Sequence, residues 1–314
     1  MAKKYAFGVD IGGTSVKIGI FTIKGQLLNC FEIPTDKADE GEHILPDIAD
    51  AIGDYLKKAE SSFEEIEGIG MGIPGPVLSD GTINKCVNLG WGVFNAAQRM
   101  SDLCGGVYVK CGNDANVAAL GEMWQGGGRG YENVVMVTLG TGVGGGVVLG
   151  GEIISGAFGA AGEIGHIKVR DDETECCGCG KHGCLEQYAS ANGIVRVTKQ
   201  YLASNDTETV LRDADVLTSK AIFDAAKAGD AVATEMVEKL GKYLGTALSY
   251  ISCVVDPEVF VIGGGVSKAG DILVDTIRKY YRENAFHASR GTKFALAELE
   301  NEAGMYGAVK LVLK

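Results

Sequence analysis

The chain has 314 residues, 46% hydrophobic and 22% charged, and this composition predicts a globular protein with room for about two domains. Its net charge of −12 argues against a nucleic-acid partner, because phosphate backbones are bound by clustered Lys and Arg side chains. Strand-forming residues and an Asp follow the basic N-terminus, so we expect no signal peptide and a cytoplasmic protein whose nine cysteines stay reduced.

The first part of the chain alternates strands and helices in the order βββαβαβα. Short apolar runs predict the strands, and apolar residues at helical spacing around Pro46 predict the first helix. The predicted strands are 5–9, 16–23, 26–33, 66–72 and 107–111, and the predicted helices are 43–59, 94–103 and 115–124.

The second half starts in the same way, with two strands and a third near Glu152. Its opening segment, 133–151, carries no charge but is too rich in glycine and threonine for a membrane helix. An insertion that carries cysteines occupies 156–188. The remaining predictions are strands at 134–139, 147–149, 259–262 and 294–296, and helices at 231–253, 268–284 and 302–313. Two related halves with a cleft between them are the predicted architecture.

One glycine-rich turn in each half is a candidate phosphate site. Glycine has no Cβ, so such a turn lets backbone N–H groups converge on an anion. The first turn offers Asp10, Gly12, Gly13, Thr14 and Lys17, and the second offers Gly140, Thr141 and Gly142. Asp10, at the end of a strand, is a candidate for holding hydrated Mg²⁺. The second turn also matches G-x-G-x-x-G, but strand residues and not a helix follow it, which argues against a dinucleotide fold.

Asn113 and Asp114 lie between a predicted strand and a predicted helix. Asn and Asp are favoured N-caps, so a structural role is one interpretation. The other is catalytic, because the carboxyl ends of strands in α/β sheets are where substrates bind. A carboxylate there can orient a hydroxyl group for attack on a γ-phosphate. From the spacing alone, both interpretations stay open.

The cysteine-rich insertion predicts a zinc site. Cys177, Cys179 and Cys184 follow His166, and three thiolates with one imidazole form a closed tetrahedral set, so the metal would be structural. The same loop carries Glu163 and Glu186, which the metal would help to place.

Two further residues of this insertion are rival zinc ligands. Cys176 is adjacent to Cys177, so both thiols are not expected to point inward, and His182 is an alternative to His166. A third glycine run, Gly263, Gly264 and Gly265, lies between a strand and a helix. It suits either a tight turn or a platform for the adenine ring, and we favour contact with a nucleotide.

Taken together, these motifs resemble those of the ROK group of bacterial sugar kinases (repressor, open reading frame, kinase), and within it the ATP-dependent glucokinases. The resemblance covers nearly the whole chain. It is carried by DIGGTSVK (10–17), MGIPGPV (71–77), NLGW (88–91), NDANVAALGEMW (113–124), VTLGTGVGGG (137–146), GEIGH (162–166), CGCGKHGCLE (177–186) and IGGGVS (262–267).

The resemblance implies an α/β fold of the actin-like (hexokinase and ribonuclease H-like) ATPase type, with two lobes around a cleft. Residues 1–117 would form the N-terminal lobe, to which the last helix (302–314) returns. Residues 118–301 would form the C-terminal lobe with the zinc loop as an insertion. The implied reaction is phosphorylation of glucose by ATP at the 6-hydroxyl, with Asp114 as the base.

The resemblance also implies roles for the candidate site residues. The sugar would be bound by Gly75, Asn88, Asn113, Asp114, Glu163, His166 and Glu186. Phosphate would be held by Gly12, Gly13 and Thr14 from one lobe and by Thr138, Gly140, Thr141 and Gly142 from the other. Zinc would be held by His166, Cys177, Cys179 and Cys184. In this family the histidine gives one ring nitrogen to zinc and the other to the sugar, which favours His166 over His182.

Several alternatives stay open at this stage. The same scaffold suits a kinase for N-acetylmannosamine, N-acetylglucosamine, fructose or allose, and a non-catalytic sugar sensor is a second alternative. Repressors of the group carry a helix-turn-helix domain before the first strand, whereas only four residues precede Tyr5 here, so we expect a kinase. Such kinases are commonly dimers or tetramers, and we therefore expect a homo-oligomer that binds sugar and ATP.

Overall fold

The computed structural model describes residues 2–313, which divide into two compact units. The first unit contains the chain up to Glu132, then Gly146–Gly162, and the residues from Leu299 onward. The second unit contains Asn133–Gly145 and Glu163–Glu298. Within residues 2–313, every helix is too short or too polar to cross a bilayer.

The strands and helices follow the predicted order closely. Among residues 2–313 the strands are β1 (Tyr5–Ile11), β2 (Ser15–Thr22), β3 (Leu27–Pro34), β4 (Ile66–Ile73), β5 (Thr82–Cys86), β6 (Trp91–Asn95), β7 (Val109–Asn113), β8 (Val134–Leu139), β9 (Val143–Leu149), β10 (Glu152–Ile153), β11 (Val259–Gly263) and β12 (Lys293–Leu296). The α-helices are α1 (Ile44–Lys58), α2 (Ala96–Leu103), α3 (Asp114–Gln125), α4 (Glu186–Ala189), α5 (Ala191–Ser204), α6 (Ser219–Lys227), α7 (Ala231–Val255), α8 (Asp271–Asn284) and α9 (Ala303–Lys310).

The two large sheets have the same topology. The first has the strand order β3-β2-β1-β4-β7, and the second has the order β10-β9-β8-β11-β12. In the first sheet β1 and β2 form an antiparallel hairpin, and β4 and β7 add in parallel. In the second, β8 and β12 both run parallel to β11. The two sheets therefore repeat one strand order, as expected for the two related halves predicted from the sequence.

Helix α9 returns to the first unit, as the resemblance implied. It packs against α3 and against strands β1, β2 and β4. Glycines make this close packing possible, because a methyl group on Gly8 or Gly70 would overlap backbone atoms of α9. Met305 and Val309 of α9 are buried in a small apolar cluster beneath β1 and β2.

Two predicted helices begin later than expected. The helix predicted at 94–103 begins at Ala96, because residues 91–95 form β6 and pair with β5 in a hairpin that the sequence prediction missed. The side chain of Asn95 caps α2 by accepting a hydrogen bond from the backbone N–H of Gln98. The helix predicted at 268–284 begins at Asp271, because Gly270 has a φ of 74° and interrupts the chain there.

The compact units and the predicted lobes divide the chain at different positions. The lobe division was expected after residue 117, whereas the first unit continues to Glu132. The difference arises because α3 runs without interruption from Asp114 to Gln125 and packs against α9. A helix of this length stays with the core that buries its apolar face, so the unit boundary lies beyond its end.

Candidate active site and metal centre

The first glycine turn joins β1 to β2 in a narrow hairpin. The backbone N–H of Gly12 donates to the carbonyl oxygen of Ser15 at 3.0 Å. Thr35 supports the turn from the side, because its hydroxyl donates to the Gly12 carbonyl at 2.7 Å and its N–H donates to the Thr14 carbonyl at 3.0 Å. A methyl group on Gly13 would meet nothing within 4 Å, so the turn is open above this position. The sequence prediction missed Thr35, because no local pattern marks it.

Asp10 lies at the end of β1 in a mostly buried position. Burial and the charge of Asp114 raise its pKa to about 6, while Lys17 opposes the shift. Asp10 and Lys17 are directly paired across the β1–β2 hairpin. The Lys17 ammonium donates to the carbonyl of Asn301 at 3.0 Å, just before α9. Behind Asp10, a methyl group on Gly304 would lie within 2.8 Å of the carboxylate, which makes Gly304 a site residue that the sequence prediction missed.

Asn113 and Asp114 lie at the carboxyl end of β7 and the start of α3. Asn113 is the N-cap, since its Oδ1 accepts from the N–H groups of Ala115 at 3.1 Å and Asn116 at 3.2 Å. Its Nδ2 donates to the Gly75 carbonyl at 3.0 Å and to Asp114 Oδ1 at 3.0 Å. Asp114 Oδ1 also accepts from the N–H of Ala115 at 2.8 Å, so one carboxylate oxygen is held in place.

Asn88 lies in the short turn between β5 and β6, where its side chain is exposed. The neighbouring Cys86 is buried, and its thiol donates to the carbonyl of Pro74. Burial raises the pKa of the Cys86 thiol, and the charge of Asp114 raises it further. Within the first unit, the hairpin that carries Asn88 therefore lies close to Asp114.

The second glycine turn joins β8 to β9. The N–H of Gly140 donates to the carbonyl of Gly142 at 3.0 Å, and the Gly140 carbonyl accepts from the N–H of Ala191 at the start of α5. A methyl group on Gly142 would lie 2.5 Å from Oε2 of Glu186. Thr138 precedes the turn and pairs with Gly263 across the sheet. Within the second unit, the candidate phosphate turn and the candidate sugar residue Glu186 are thus neighbours.

The third glycine run follows β11. Gly264 has a φ of 83°, and a side chain there would also overlap the backbone of Leu139, so this position requires glycine for structural reasons. A methyl group on Gly265 would meet nothing within 4 Å, so the turn offers an open backbone surface. Gly263 is the last residue of β11 and pairs with Thr138 of β8. The third glycine run therefore lies next to the end of β8, where the second phosphate turn begins.

His166 lies between two candidate sugar residues, at the end of a short 3₁₀ turn (Ile164–His166). Its Nε2 is 3.9 Å from Oε2 of Glu163, and its Nδ1 is 3.7 Å from Oε1 of Glu186. Glu163 is exposed, whereas Glu186 begins α4 and is half-buried. The two ring nitrogens therefore face different carboxylates, and Nδ1 is also the nitrogen near the Cys177 sulfur.

His166, Cys177, Cys179 and Cys184 form a metal-binding geometry, with all four donor atoms within 4.8 Å of one another. The Cys179 and Cys184 sulfurs are 3.6 Å apart, and the Cys177 sulfur is 3.8 Å from His166 Nδ1. Tetrahedral Zn–S bonds of about 2.3 Å put ligand atoms about 3.8 Å apart, so the donor set fits zinc. Among residues 2–313 this cluster includes neither Cys176 nor His182.

The thiols of this cluster differ in their environments. Burial raises the pKa of Cys177 and of Cys184, whereas a backbone hydrogen bond from Lys181 lowers the pKa of Cys179. The Cys177 thiol also donates to Glu186 Oε1 at 2.8 Å. Metal ligands must be thiolates, so a cation at this position would have to displace protons from the two buried sulfurs.

Polar contacts outside the donor set also shape the metal loop. Gln187 Oε1 accepts from the N–H groups of Gly183 and Cys184 at 2.9 and 3.0 Å. Arg196 binds Glu173 at 2.7 Å and Glu175 at 3.1 Å, and so joins α5 to the start of the loop. The sequence prediction missed Gln187 and Arg196, because their partners become neighbours only when the loop is folded.

Comparison with known proteins identifies the family. A family model described as the ROK family matches residues 6–314. A glucokinase from Halalkalibacterium halodurans is 42% identical over 317 residues, covering 99% of this chain and 96% of that protein. An N-acetyl-D-glucosamine kinase from Haemophilus influenzae is 28% identical, covering 98% of this chain and 99% of that protein.

A solved structure agrees with these relatives. The crystal structure of a ROK family glucokinase from Streptomyces griseus in complex with glucose and AMPPNP has a TM-score of 0.72 and 34% identity. The similarity covers 98% of each chain, so the predicted α/β fold of the actin-like ATPase type is confirmed. Because the family match extends over nearly the whole sequence, the chain belongs to the ROK family.

Proposed function

We propose that this protein is a glucokinase, which transfers the γ-phosphate of ATP to the 6-hydroxyl of glucose and releases glucose 6-phosphate and ADP. The observation that carries this proposal is the 42% identity, over 99% of the chain, to a glucokinase. The related structure in complex with glucose and AMPPNP supports both the sugar and the nucleotide. All candidate sugar and phosphate residues lie within the matched residues 6–314.

In the proposed mechanism, Asp114 takes the proton of the sugar 6-hydroxyl as that oxygen attacks the γ-phosphorus. Phosphoryl transfer depends mainly on positioning and on charge neutralisation. The hydrogen bonds from Ala115 and Asn113 to Asp114 Oδ1 restrain the carboxylate, which suits a base that must meet one particular hydroxyl.

The other site residues would bind the two substrates. Sugar hydroxyls would contact Gly75, Asn88, Asn113, Glu163, His166 and Glu186. Phosphate would contact Gly12, Gly13, Thr14, Lys17, Thr138, Gly140, Thr141 and Gly142, and the adenine would lie against Gly263, Gly264 and Gly265. The open space above Gly13, Gly140 and Gly265 supports close approach of a ligand to these backbones.

Two cations complete the proposal. Asp10 would hold Mg²⁺ through its water ligands, and the metal would neutralise charge on the phosphates. Zinc would be held by His166, Cys177, Cys179 and Cys184, and would supply a structural cross-link. Because His166 and Glu186 lie at the two ends of that cross-linked segment, the loop would orient both toward the sugar.

Three further features belong to the proposal. The functional lobes would be residues 1–117 with 302–314, and residues 118–301. The protein would be cytoplasmic and homo-oligomeric, as a dimer or a tetramer. A kinase for an amino sugar is the second candidate, which the 28% identity to an N-acetyl-D-glucosamine kinase supports more weakly than the 42% identity to a glucokinase.

The decisive test is a coupled ADP-release assay with Mg·ATP on the purified, zinc-loaded protein. Glucose, N-acetylmannosamine, N-acetylglucosamine, fructose and allose are compared by kcat/KM. We expect glucose to be the preferred substrate by a wide margin. Preference for an amino sugar would show that the protein is a kinase with a different substrate. Turnover of no sugar would favour a sensor that binds sugar without catalysis.

A further inference from the structure

The second unit contains a cavity of about 600 Å³ that is separate from the residues assigned to sugar, nucleotide and zinc. Its walls come from helix α7, helix α5, Tyr188 of α4, and the segment 168–171. This volume lies within the range of about 300–1,000 Å³ that is usual for small-molecule pockets. The cavity is therefore large enough for a metabolite with one or two rings.

One face of α7 lines this cavity. Lys239, Tyr243, Thr246 and Tyr250 recur at helical spacing and face the cavity, whereas Leu240, Leu244 and Leu248 of the same helix are buried in the core. Tyr250 is 55% exposed. Packing of the core explains the leucines but not the row of lysine and tyrosine side chains.

More cationic than acidic side chains line the cavity, in a chain whose net charge is −12. Its lining has four cationic residues, Lys168, Arg170, Lys239 and Lys242, and one carboxylate, Asp171. The first three cations are paired with neighbouring carboxylates at 2.5 to 2.8 Å. Among residues 2–313, Lys242 forms no salt bridge, so its charge is available to an anion.

Aromatic rings form another wall of the cavity. The rings of Tyr188 and Tyr243 have centroids 4.5 Å apart and are tilted by 32°. Tyr243 follows Lys242 directly, and the exposed Tyr250 lies seven residues, about two helical turns, further along α7. A cation beside tyrosine faces suits a ligand that carries a phosphate at one end and a flat or ring-shaped group at the other.

We propose that this cavity is a second ligand site, which binds a phosphate monoester of a sugar or a nucleoside. Lys242, whose charge is not neutralised by a carboxylate in the described part of the chain, contacts the phosphate, and the tyrosine rings of α7 pack against the ring of the ligand.

The cavity is joined to the proposed sugar site through two short segments. Residues 168–171 follow His166 directly, and Tyr188 lies two residues after Glu186. These segments pair with each other, since the N–H of Leu185 donates to the Ile167 carbonyl at 2.8 Å and Lys168 is bridged to Cys184. Through this pairing, we expect a ligand in the cavity to change the affinity for the sugar. This coupling rests on the proposed function, whereas binding in the cavity does not.

Titration calorimetry on the full-length, zinc-loaded protein tests the site with three probes: glucose 6-phosphate, AMP and inorganic phosphate. Each probe is titrated into the wild type, into Lys242→Glu, and into Lys199→Glu. The last is a matched control, because Lys199 is an exposed lysine of α5 that does not line the cavity. We expect at least one ester to bind, with an affinity that Lys242→Glu lowers by about tenfold or more and Lys199→Glu leaves nearly unchanged.

The preferred ester identifies the source of the ligand, a sugar phosphate or a nucleotide. The site is refuted if neither ester shows binding that depends on Lys242, or if the control lowers affinity equally. Inorganic phosphate that binds as tightly as both esters would overturn the role of the tyrosine rings. Sedimentation is measured on the same variants. A change of oligomeric state in Lys242→Glu without any effect on ester binding would mean that the cavity is an interface between copies of this chain.

The coupling is tested separately, by the glucose KM at saturating ester. We expect a change of about fivefold or more in the wild type and none in Lys242→Glu, whose kinetics without ester match the wild type. An unchanged KM with Lys242-dependent ester binding would overturn the coupling alone. Lys242-dependent ester binding in a protein that phosphorylates no sugar would overturn the proposed function and leave the cavity site intact.

Discussion

Asn113 caps helix α3, and Asp114 is the first residue of the helix. From the sequence, either residue could have been an N-cap. In the structure Asn113 accepts hydrogen bonds from the N–H groups of Ala115 and Asn116, so the cap is satisfied by its amide. Asp114 instead receives a side-chain hydrogen bond from Asn113. This arrangement supports the catalytic interpretation of Asp114.

The first prediction concerns Asp114. In Asp114→Asn the amide keeps the size of the side chain but no longer accepts a proton. We expect kcat to fall by about 10²–10⁴-fold while the Kd for glucose changes little. ADP release and calorimetry measure the two quantities. Asp50→Asn, an exposed substitution in α1, is the control, and turnover of Asp114→Asn within a few-fold of the wild type would contradict the assignment.

The second prediction concerns the raised pKa of Asp10. Burial and Asp114 raise it from 3.8 to about 6, so the native state binds this proton more tightly than the unfolded chain. The stabilisation is complete below about pH 4 and is lost as the pH rises through about 6. This difference in pKa between the unfolded and the folded chain corresponds to about 3 kcal/mol of unfolding free energy.

Asp10→Asn isolates this contribution. Urea unfolding of both proteins without Mg²⁺ or nucleotide, between pH 4 and pH 7, gives two curves of stability against pH. We expect the variant to gain stability relative to the wild type as the pH rises, by up to about 3 kcal/mol. Groups that do not interact with Asp10 titrate in both proteins and cancel in the difference, so the difference reports Asp10 together with its interaction with Asp114. Parallel curves would show that Asp10 has an ordinary pKa.

At the scale of elements, α9 is held against the first sheet by positions that accept no side chain. Gly304 is one of them, because a methyl group there would lie 2.5 to 2.8 Å from atoms of the Asp10 carboxylate. Alanine favours a helix over glycine by about 1 kcal/mol, so propensity alone predicts that Gly304→Ala stabilises the protein. The steric conflict with Asp10 predicts the opposite, together with a displaced carboxylate.

The third prediction compares two helical glycines. Gly304→Ala should lower stability and raise the KM for Mg·ATP, because Asp10 must move. Gly53→Ala in α1 should be neutral or stabilising by up to about 1 kcal/mol, since a methyl group there meets the Phe63 ring at an ordinary 3.7 Å. Thermal unfolding and ATP kinetics separate the two effects. Equal changes in stability and in the KM for Mg·ATP in the two variants would show that α9 accommodates a methyl group at position 304 without loss of stability.

The fourth prediction concerns the metal loop. Cys184→Ser removes a member of the four-residue cluster, whereas Cys176→Ser changes an adjacent cysteine outside it. We expect Cys184→Ser to lose zinc, to melt at a lower temperature and to show a raised KM for the sugar, because His166 and Glu186 are no longer cross-linked. Cys176→Ser should keep one zinc per chain and normal kinetics. Metal analysis by mass spectrometry, together with sugar kinetics, distinguishes the two, and zinc loss in Cys176→Ser would overturn the ligand set.

At the scale of the molecule, the two sheets repeat one topology with different additions. Helix α9 packs against the first sheet. The unit that contains the second sheet also contains the cysteine-rich residues and the long helix α7. Each sheet has its glycine turn between its first two strands in sequence, β1–β2 and β8–β9. The duplicated turn is therefore a consequence of the duplicated sheet.

The fifth prediction concerns the whole folded chain. A ligand that binds only the native state raises stability by an amount set by its concentration relative to Kd, about 2.7 kcal/mol at one hundred times Kd. We expect glucose to raise the melting temperature of the wild type and of Asp114→Asn by similar amounts. Xylitol, which lacks the pyranose ring, is the control. A shift in the wild type alone would mean that Asp114 is needed for binding and not only for turnover.

Most elements could be predicted from the sequence, because apolar periodicity and glycine turns are local properties. Strand β8 was predicted at its observed bounds, and the core helix at 231–253 differs from α7 by two residues. The β5–β6 hairpin was missed because its strands are five residues each, and Phe94 and Asn95 at the end of β6 had been assigned to the predicted helix at 94–103. The start of α8 was misplaced because the backbone at Gly270 depends on its folded context.

The candidate site divides in the same way. Its motifs, the resemblance that they carry and the candidate residues in them were determined by the sequence alone, because each motif is contiguous. The resemblance already favoured His166 over His182, and the structure brings His166 together with the three cysteines. Only the tertiary structure decided that Gly304 lies behind Asp10 and that Lys242 faces a cavity. These relations are distances between residues far apart along the chain, and such distances are set by how the helices and loops pack.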